Sequence, residues 1–213
     1  MSVPDLSVVI PARDAADTIE AAVGSVLASA DRLLEVIVVD DGSRDDGASR
    51  AAALDPRVSV LRTEGRGAAA ARNAGLATAR GAHVGFLDAD DLWVAGTPDP
   101  RRSALAGTPD AIAVGLTQLT SGGVAAGDPF VLWSFGAALA ARATWNALGP
   151  FDERLTRGED VEWFLRARDA GTAIVTVAAV VQHYERRAGT LSADASAGLL
   201  AGLRATIVRR GAA

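Results

Sequence analysis

The sequence predicts an α/β fold with a mostly parallel central sheet flanked by helices, and three observations carry that expectation. Runs of four or five apolar, largely β-branched residues alternate with helix-periodic segments at regular spacing through the first half. Strands apolar on both faces belong in a parallel sheet covered by helices. Three of the first four strand ends carry Pro or clustered Asp, and in such sheets ligands bind beyond the carboxyl ends of the strands. Finally, the chain of 213 residues is 49% hydrophobic, but about a fifth of it is Ala. What remains as larger apolar side chains suffices for one core, so the expectation is a single domain over residues 1–213 in two lobes, 1–95 and 96–213.

Each element has its own signal. Residues 7–10 form a short apolar strand ended by Pro11. A helix opens at Asp17, with Glu20 three residues on as a capping box, and Ile19, Val23, Val26, Leu27 and Ala30 share one face. Residues 35–39 are a β-branched strand ending in Asp40-Asp41-Gly42-Ser43, and a second helix fits 46–53, closed by Asp55-Pro56. Residues 58–61 are a third strand and 68–79 a third helix, with Gly81 as its C′ glycine. Residues 84–87 form a fourth strand that ends in Asp88-Ala89-Asp90-Asp91. Beyond it, 96–110 has the Gly, Pro and Arg mixture of a loop, 112–119 fits a strand, and 121–128 is a turn-rich connection. Residues 131–135 are a strand or buried segment. Gly158-Glu159-Asp160 opens a helix to Ala170 with Gly171 as C′ residue, and 173–181 is a further strand.

Composition narrows the function. With 21 basic and 26 acidic residues the net charge is −5, which argues against nucleic-acid binding through bulk basic charge. No Cys is present, which removes disulfides, thiolate zinc sites and cysteine nucleophiles together. No run of 18 apolar residues spans a membrane and residues 1–11 lack the form of a signal peptide, so a soluble, cytoplasmic protein is expected. The helix at 199–210 mixes Leu, Ile and Val with Arg204, Arg209 and Arg210; it packs on its own domain or makes a peripheral membrane contact.

Carboxylates gathered at strand ends repel one another, and that is the main functional signal. Asp88 and Asp90 stand one residue apart, a spacing that lets side chains converge on a hard cation such as Mg²⁺ or Mn²⁺ carrying a diphosphate; solvated turns also collect Asp. Gly65-Arg66-Gly67-Ala68-Ala69-Ala70 has the form of a dinucleotide fingerprint, with Asp88 roughly twenty residues on. It follows the third strand rather than the first, and its acid belongs to a cluster. Glu159 and Asp160 at a helix start also suit the helix dipole without any function.

Read together, S-V-V-I-P at 7–11, V-V-D-D-G-S at 38–43, A-R-N-A-G at 71–75, G-F-L-D-A-D-D at 85–91, and G-P-F-D-E-R-L with G-E-D at 149–160 resemble the family 2 glycosyltransferases. The resemblance implies a GT-A nucleotide-diphosphosugar transferase fold and inverting, metal-dependent sugar transfer. The donor is a nucleotide-diphosphate sugar, with Mn²⁺ or Mg²⁺ as cofactor, and the acceptor hydroxyl belongs to a saccharide, lipid-linked, peptide or small-molecule partner. On the matching positions, Pro11 and Asp41 line the nucleotide pocket with Asp41 facing the base. Asp88 contacts the ribose or a metal-bound water, Asp90 binds the metal, and Asp160 is the general base with Glu159 beside it.

Gly67, Arg66 and Arg72 lie in the Gly-rich segment within reach of a diphosphate, although a solvated helix face suits the two Arg equally. His183 is a candidate second metal ligand or a satisfied strand-end His, and His83 is read as structural. The sequence departs from the family at Arg13-Asp14, and at Ala188 within Arg186-Arg187-Ala188-Gly189-Thr190. Trp93 is the candidate acceptor-side stacking ring, and Trp163 a core residue. Two other functions fit less well: a catalytically silent sugar-nucleotide-binding scaffold, and a nucleotidyltransferase, whose usual Gly-rich loop and Lys are replaced by Pro11-Ala12-Arg13.

Overall fold

The computed structural model of the chain describes residues 4–30, 32–94 and 99–186. The first half alternates as expected: β1 (Leu6–Ala12), α1 (Ile19–Ser29), β2 (Leu33–Asp40), α2 (Gly47–Ala52), β3 (Val58–Arg62), α3 (Ala68–Thr78) and β4 (His83–Phe86). The second half contains β5 (Leu92–Trp93), α4 (Pro100–Leu105), β6 (Ile112–Ser121), β7 (Val124–Ala125) and β8 (Phe130–Val131). It continues with β9 (Ala138–Ala141), α5 (Arg142–Leu148), α6 (Glu159–Asp169) and β10 (Ile174–Glu185). All described strands join one continuous sheet in the order β3-β2-β1-β4-β9-β6-β10-β5, with β7 and β8 paired to β6.

The first four strands are parallel, as is β10 against β6. β9 runs antiparallel between β4 and β6, and β5 runs antiparallel to β10, so the sheet is mixed. Alternation along β1 sends Val9 to one face and Val8 and Ile10 to the other, and both faces are sealed. On the Val9 face lie α3, α5 and α6 with an aromatic cluster of Phe86, Phe135, Trp145, Phe151 and Trp163. On the other face α1 contributes Ile19, Val23 and Val26, and α4 contributes Leu105.

Several local expectations are corrected. Pro11 does not end β1 but sits inside it, opposite Val39 of β2. Its missing N–H costs nothing there, because β4 has already left the other side at Val9. The capping box of α1 does not form: the helix starts at Ile19 after Thr18, whose side chain makes no capping bond, and Glu20 pairs instead with Arg50 of α2. Gly81 is not a left-handed C′ residue, since α3 ends at an extended Ala79. Glycine is needed there because a Cβ would lie 2.6 Å from the Ser7 backbone nitrogen.

The loop expected over 96–110 contains α4, which Asp99 caps by accepting from the Arg101 N–H at 2.9 Å, with Pro100 in the first turn. The strand or buried segment at 131–135 resolves into the end of β8 and a 3-10 turn, Phe135–Ala137. β9 and α5, not anticipated, follow it. α6 starts at Glu159 after Gly158, and Gly171 follows it in the left-handed region, as expected. The helix at 199–210 and the segment 187–190 lie outside the described residues. Among the described residues no helix is long and apolar enough to cross a membrane.

Candidate active site

Because β1, β2 and β4 are parallel, their carboxyl ends meet along one edge, and the sequence-selected residues gather there. At the end of β2, Asp40 accepts the Ser43 N–H at 2.8 Å and shapes the turn. Asp41, 3% exposed, turns its carboxylate onto the Gly-rich loop rather than outward. One oxygen accepts from the Thr63 hydroxyl at 2.7 Å and from the N–H groups of Gly65 and Arg66 at 3.1 and 3.0 Å. The other accepts from Gly67 at 2.7 Å. Burial pushes this carboxyl up, but the bonds from Thr63, Gly67, Arg66 and Gly65 outweigh it and hold it below its ordinary range.

Asp41, the residue expected to face the base, thus fastens the Gly-rich loop in this structure. The N–H groups that would cradle a phosphate in a dinucleotide fingerprint are turned onto an internal carboxylate. Gly65 and Gly67 have φ of 74° and 97°, which glycine adopts without strain.

The second half of the edge is built around Arg72 on α3. Its guanidinium is 5% exposed, lies 5.1 Å over the Phe135 ring, and joins two carboxylates. Nη2 donates to Asp88 at 2.6 Å, and Nη1 to Glu159 at 2.7 Å. Burial disfavours its charge, but Asp88 and Glu159 overcome that and raise its pKa. Both terminal nitrogens of Arg72, the residue expected to reach a diphosphate, bond protein acids in this structure.

Asp160, next to Glu159 in the first turn of α6, accepts the Val161 N–H at 2.7 Å. Its carboxyl is pushed up to about 6, chiefly by burial. The Val161 N–H and Arg72 lower it, while Glu159 and Asp88 add to the rise. A carboxylate with that pKa is ionised at neutral pH yet holds a proton more readily than an ordinary Asp, which is what a general base requires.

A cavity of about 490 Å³, which the Arg72 cluster does not line, is bordered by Asp90, His183, Glu185, Thr18 and Thr120 among others. It brings together Asp90 from the turn after β4 and His183 from β10, the two residues selected as metal ligands. Among the described residues no group of three or more His, Cys, Asp or Glu side chains gathers to cage an ion. One carboxylate and one imidazole still fit a Mg²⁺ or Mn²⁺ ion that completes its shell with diphosphate oxygens and water. The third acid of the turn, Asp91, is 1% exposed and plays a different part. It accepts from Gln182 Nε2 at 2.6 Å and from the Glu185 N–H at 3.1 Å, tying the turn to β10 on both sides of His183. Burial raises its pKa well above the ordinary carboxylate value.

Other placements differ from expectation. Trp93 is 4% exposed, donates its indole N–H to the Gly136 carbonyl at 3.0 Å and lies under Arg101, so it is core rather than an acceptor platform. Trp163 is core, as expected. Arg66 pairs with Glu153. Asp14 accepts the Arg44 N–H at 2.8 Å and braces two turns. His83 sits at the opposite end of the sheet, near Asp5 and Arg102. Sequence reasoning passed over Asn73, whose amide bonds both the carbonyl and the N–H of Phe151 at 3.0 and 2.9 Å. Its place between Arg72 and Gly75 in one compact motif was the available signal.

A family model described as Glycosyl transferase family 2 matches residues 7–128. The succinoglycan biosynthesis protein ExoU of Rhizobium meliloti (strain 1021) is 48% identical over 96 residues, 43% of this chain and 28% of that protein. The Escherichia coli protein WfgD is described as UDP-Glc:alpha-D-GlcNAc-diphosphoundecaprenol beta-1,3-glucosyltransferase. It is 38% identical over 92 residues, 42% of this chain and 36% of that protein. The chain thus spans about a third of the length of these relatives. Among solved structures, S. aureus TarS 1–349 in complex with UDP-GlcNAc superposes with a TM-score of 0.73 at 21% identity, over 87% of this chain and 60% of that one. GalNAc-T7 with UDP, GalNAc and Mn²⁺ gives 0.74 at 18%, over 88% and 45%. At those identities the likeness establishes the fold, which is the GT-A fold.

Proposed function

The chain belongs to glycosyl transferase family 2, and we propose that it transfers a sugar, with inversion, from a nucleotide-diphosphate sugar to an acceptor hydroxyl with Mn²⁺ or Mg²⁺ bound. The observation that carries this reading is the placement of Asp160 in the first turn of α6, beside Glu159, which Arg72 joins to Asp88 after β4; burial pushes the Asp160 carboxyl up to about 6. In the transfer, the acceptor O–H gives its proton to an Asp160 carboxylate oxygen as its own oxygen bonds the anomeric carbon. The bond from that carbon to the donor phosphate breaks, and the electron pair leaves with the nucleoside diphosphate.

Asp90 and His183 would hold the cation, which when bound supplies charge neutralisation to the departing diphosphate. Pro11, Gly67 and Asp88 border the nucleotide pocket, and Asp41 keeps its Gly-rich wall in place. Glu159 orients the start of α6 through Arg72. The description of WfgD supports a UDP-sugar donor and a lipid-linked saccharide acceptor. The continuous sheet supports reading the chain as one domain with a donor-side lobe, 1–95, and an acceptor-side lobe beyond it.

Calorimetry with UDP and GDP tests the donor half. Binding in Mn²⁺ that weakens at least tenfold in EDTA is the expected result, and Asp90→Asn should bind equally weakly in both. Equal affinity with and without metal in the unmodified protein would remove the cation from the account.

A further inference from the structure

The segment that delivers Asp160 is held from outside itself. Between α5 and α6, residues 149–158 form no regular element, yet α3 and the residue before it hold this stretch and the start of α6. The Asn73 amide closes a two-bond bridge with the Phe151 backbone and also donates to Glu153 at 3.1 Å. Arg72 holds Glu159 at 2.7 Å, and Arg66, just before α3, pairs with Glu153. The same Arg72 holds Asp88 on the other side. Its Nε is buried without a hydrogen-bond partner, so the guanidinium keeps its place through the two carboxylates and the Phe135 ring. α3 is itself fixed against the sheet: a Cβ on Gly75 would lie 2.3 Å from Val9 Cγ1.

From this arrangement we infer that Arg72 and Asn73 are positioning residues that set the distance between the donor-side turn at 88–91 and the acceptor-side base at 160. Neither touches substrate in this role. The inference rests on the transferase reading for what the two sides do, while the mechanical link is a property of the contacts alone. A guanidinium shared between acids on two elements transmits displacement of one to the other, and an error of about 1 Å at a reacting group costs on the order of a hundredfold in rate. Lys at position 72 keeps the charge but lacks the planar fork that reaches both acids.

The test compares the unmodified protein with Arg72→Gln, Arg72→Lys, Asn73→Ala and Asn73→Gln. Nucleoside diphosphate release from a panel of UDP- and GDP-sugars in Mn²⁺ gives kcat and KM, and amide hydrogen exchange across 149–162 is followed with and without UDP. The expected result is a fall in kcat of about ten- to a hundredfold for Arg72→Gln and Asn73→Ala, with the donor KM changed less than threefold. UDP should protect 149–162 in the unmodified protein and fail to do so in Arg72→Gln.

Arg72→Lys should rescue little, which separates the fork from the charge. Unchanged kcat in both loss variants, or UDP protection of 149–162 that persists in Arg72→Gln, would overturn the inference. If no sugar nucleotide is turned over and no nucleoside diphosphate binds the unmodified protein, the transferase reading fails instead. Exchange without nucleotide then decides the link: 149–158 should exchange at least tenfold faster in Asn73→Ala, and an unchanged rate would overturn it.

Discussion

Asp160 is placed by its neighbours in two opposing ways, and both have measurable consequences. Its carboxyl titrates at about 6 in the folded protein against 3.8 in an ordinary Asp, mainly because burial penalises the charge. The folded state therefore binds this proton more tightly than the unfolded chain. The stability linked to it is complete below about pH 4 and is lost as the pH rises through 6. Asp160→Asn, which cannot ionise but can still accept the Val161 N–H, should be more stable than the unmodified protein at pH 7, by at most about 3 kcal/mol. Thermal unfolding at pH 7 and pH 4 checks this, because the gap should close at the lower pH. Asp41 behaves in the opposite sense. Its pKa lies below the ordinary value, so its contribution is present at neutral pH and is lost as the pH falls through that lowered pKa. Asp41→Ala removes the acceptor of four donors and should cost roughly 1–3 kcal/mol at pH 7, read by urea unfolding.

Among the elements, α3 does more than cover the sheet. Gly75 lets it lie against Val9 and Val39, and Gly75→Ala should destabilise by about 1–3 kcal/mol as those valines are pushed aside; denaturant unfolding with an unchanged m-value would register that cost. The helices and strands of the first half were legible because β-branched runs contrast with periodic segments, and Asp clusters mark the ends of β2 and β4. β9 was not legible: Ala138–Ala141 offers only Ala and one Leu, with no contrast between faces. α4 was hidden by its composition, although Asp99-Pro100 is a helix-start signal once read as such. Trp93 was misplaced because residue type alone does not say on which side of a strand end a ring lies. Only the Gly136 carbonyl and the Arg101 guanidinium make it core.

At the scale of the whole molecule, the candidate site depends on contacts far apart in sequence. Asp88, Arg72 and Glu159 were each selectable from local motifs, but their union across 87 residues was not. The same holds for Asp90 and His183, which share a cavity because Asp91 fastens the turn to Gln182 and Glu185 of β10. The acids that follow β4 and open α6 thus gather at one end of the sheet, where Arg72 is their counterweight. The central claim is that Asp160 is the base for transfer from a sugar nucleotide. The measurement that tests it most directly is nucleoside diphosphate release from UDP- and GDP-sugars in Mn²⁺ between pH 5 and 8, by the unmodified protein and by Asp160→Asn, with UDP affinity measured beside it. The account predicts turnover that rises with pH through about 6 and falls by about 10²–10⁴ in Asp160→Asn, while UDP binds both proteins alike. Near-equal turnover in the two proteins, or loss of UDP binding together with activity, would contradict it.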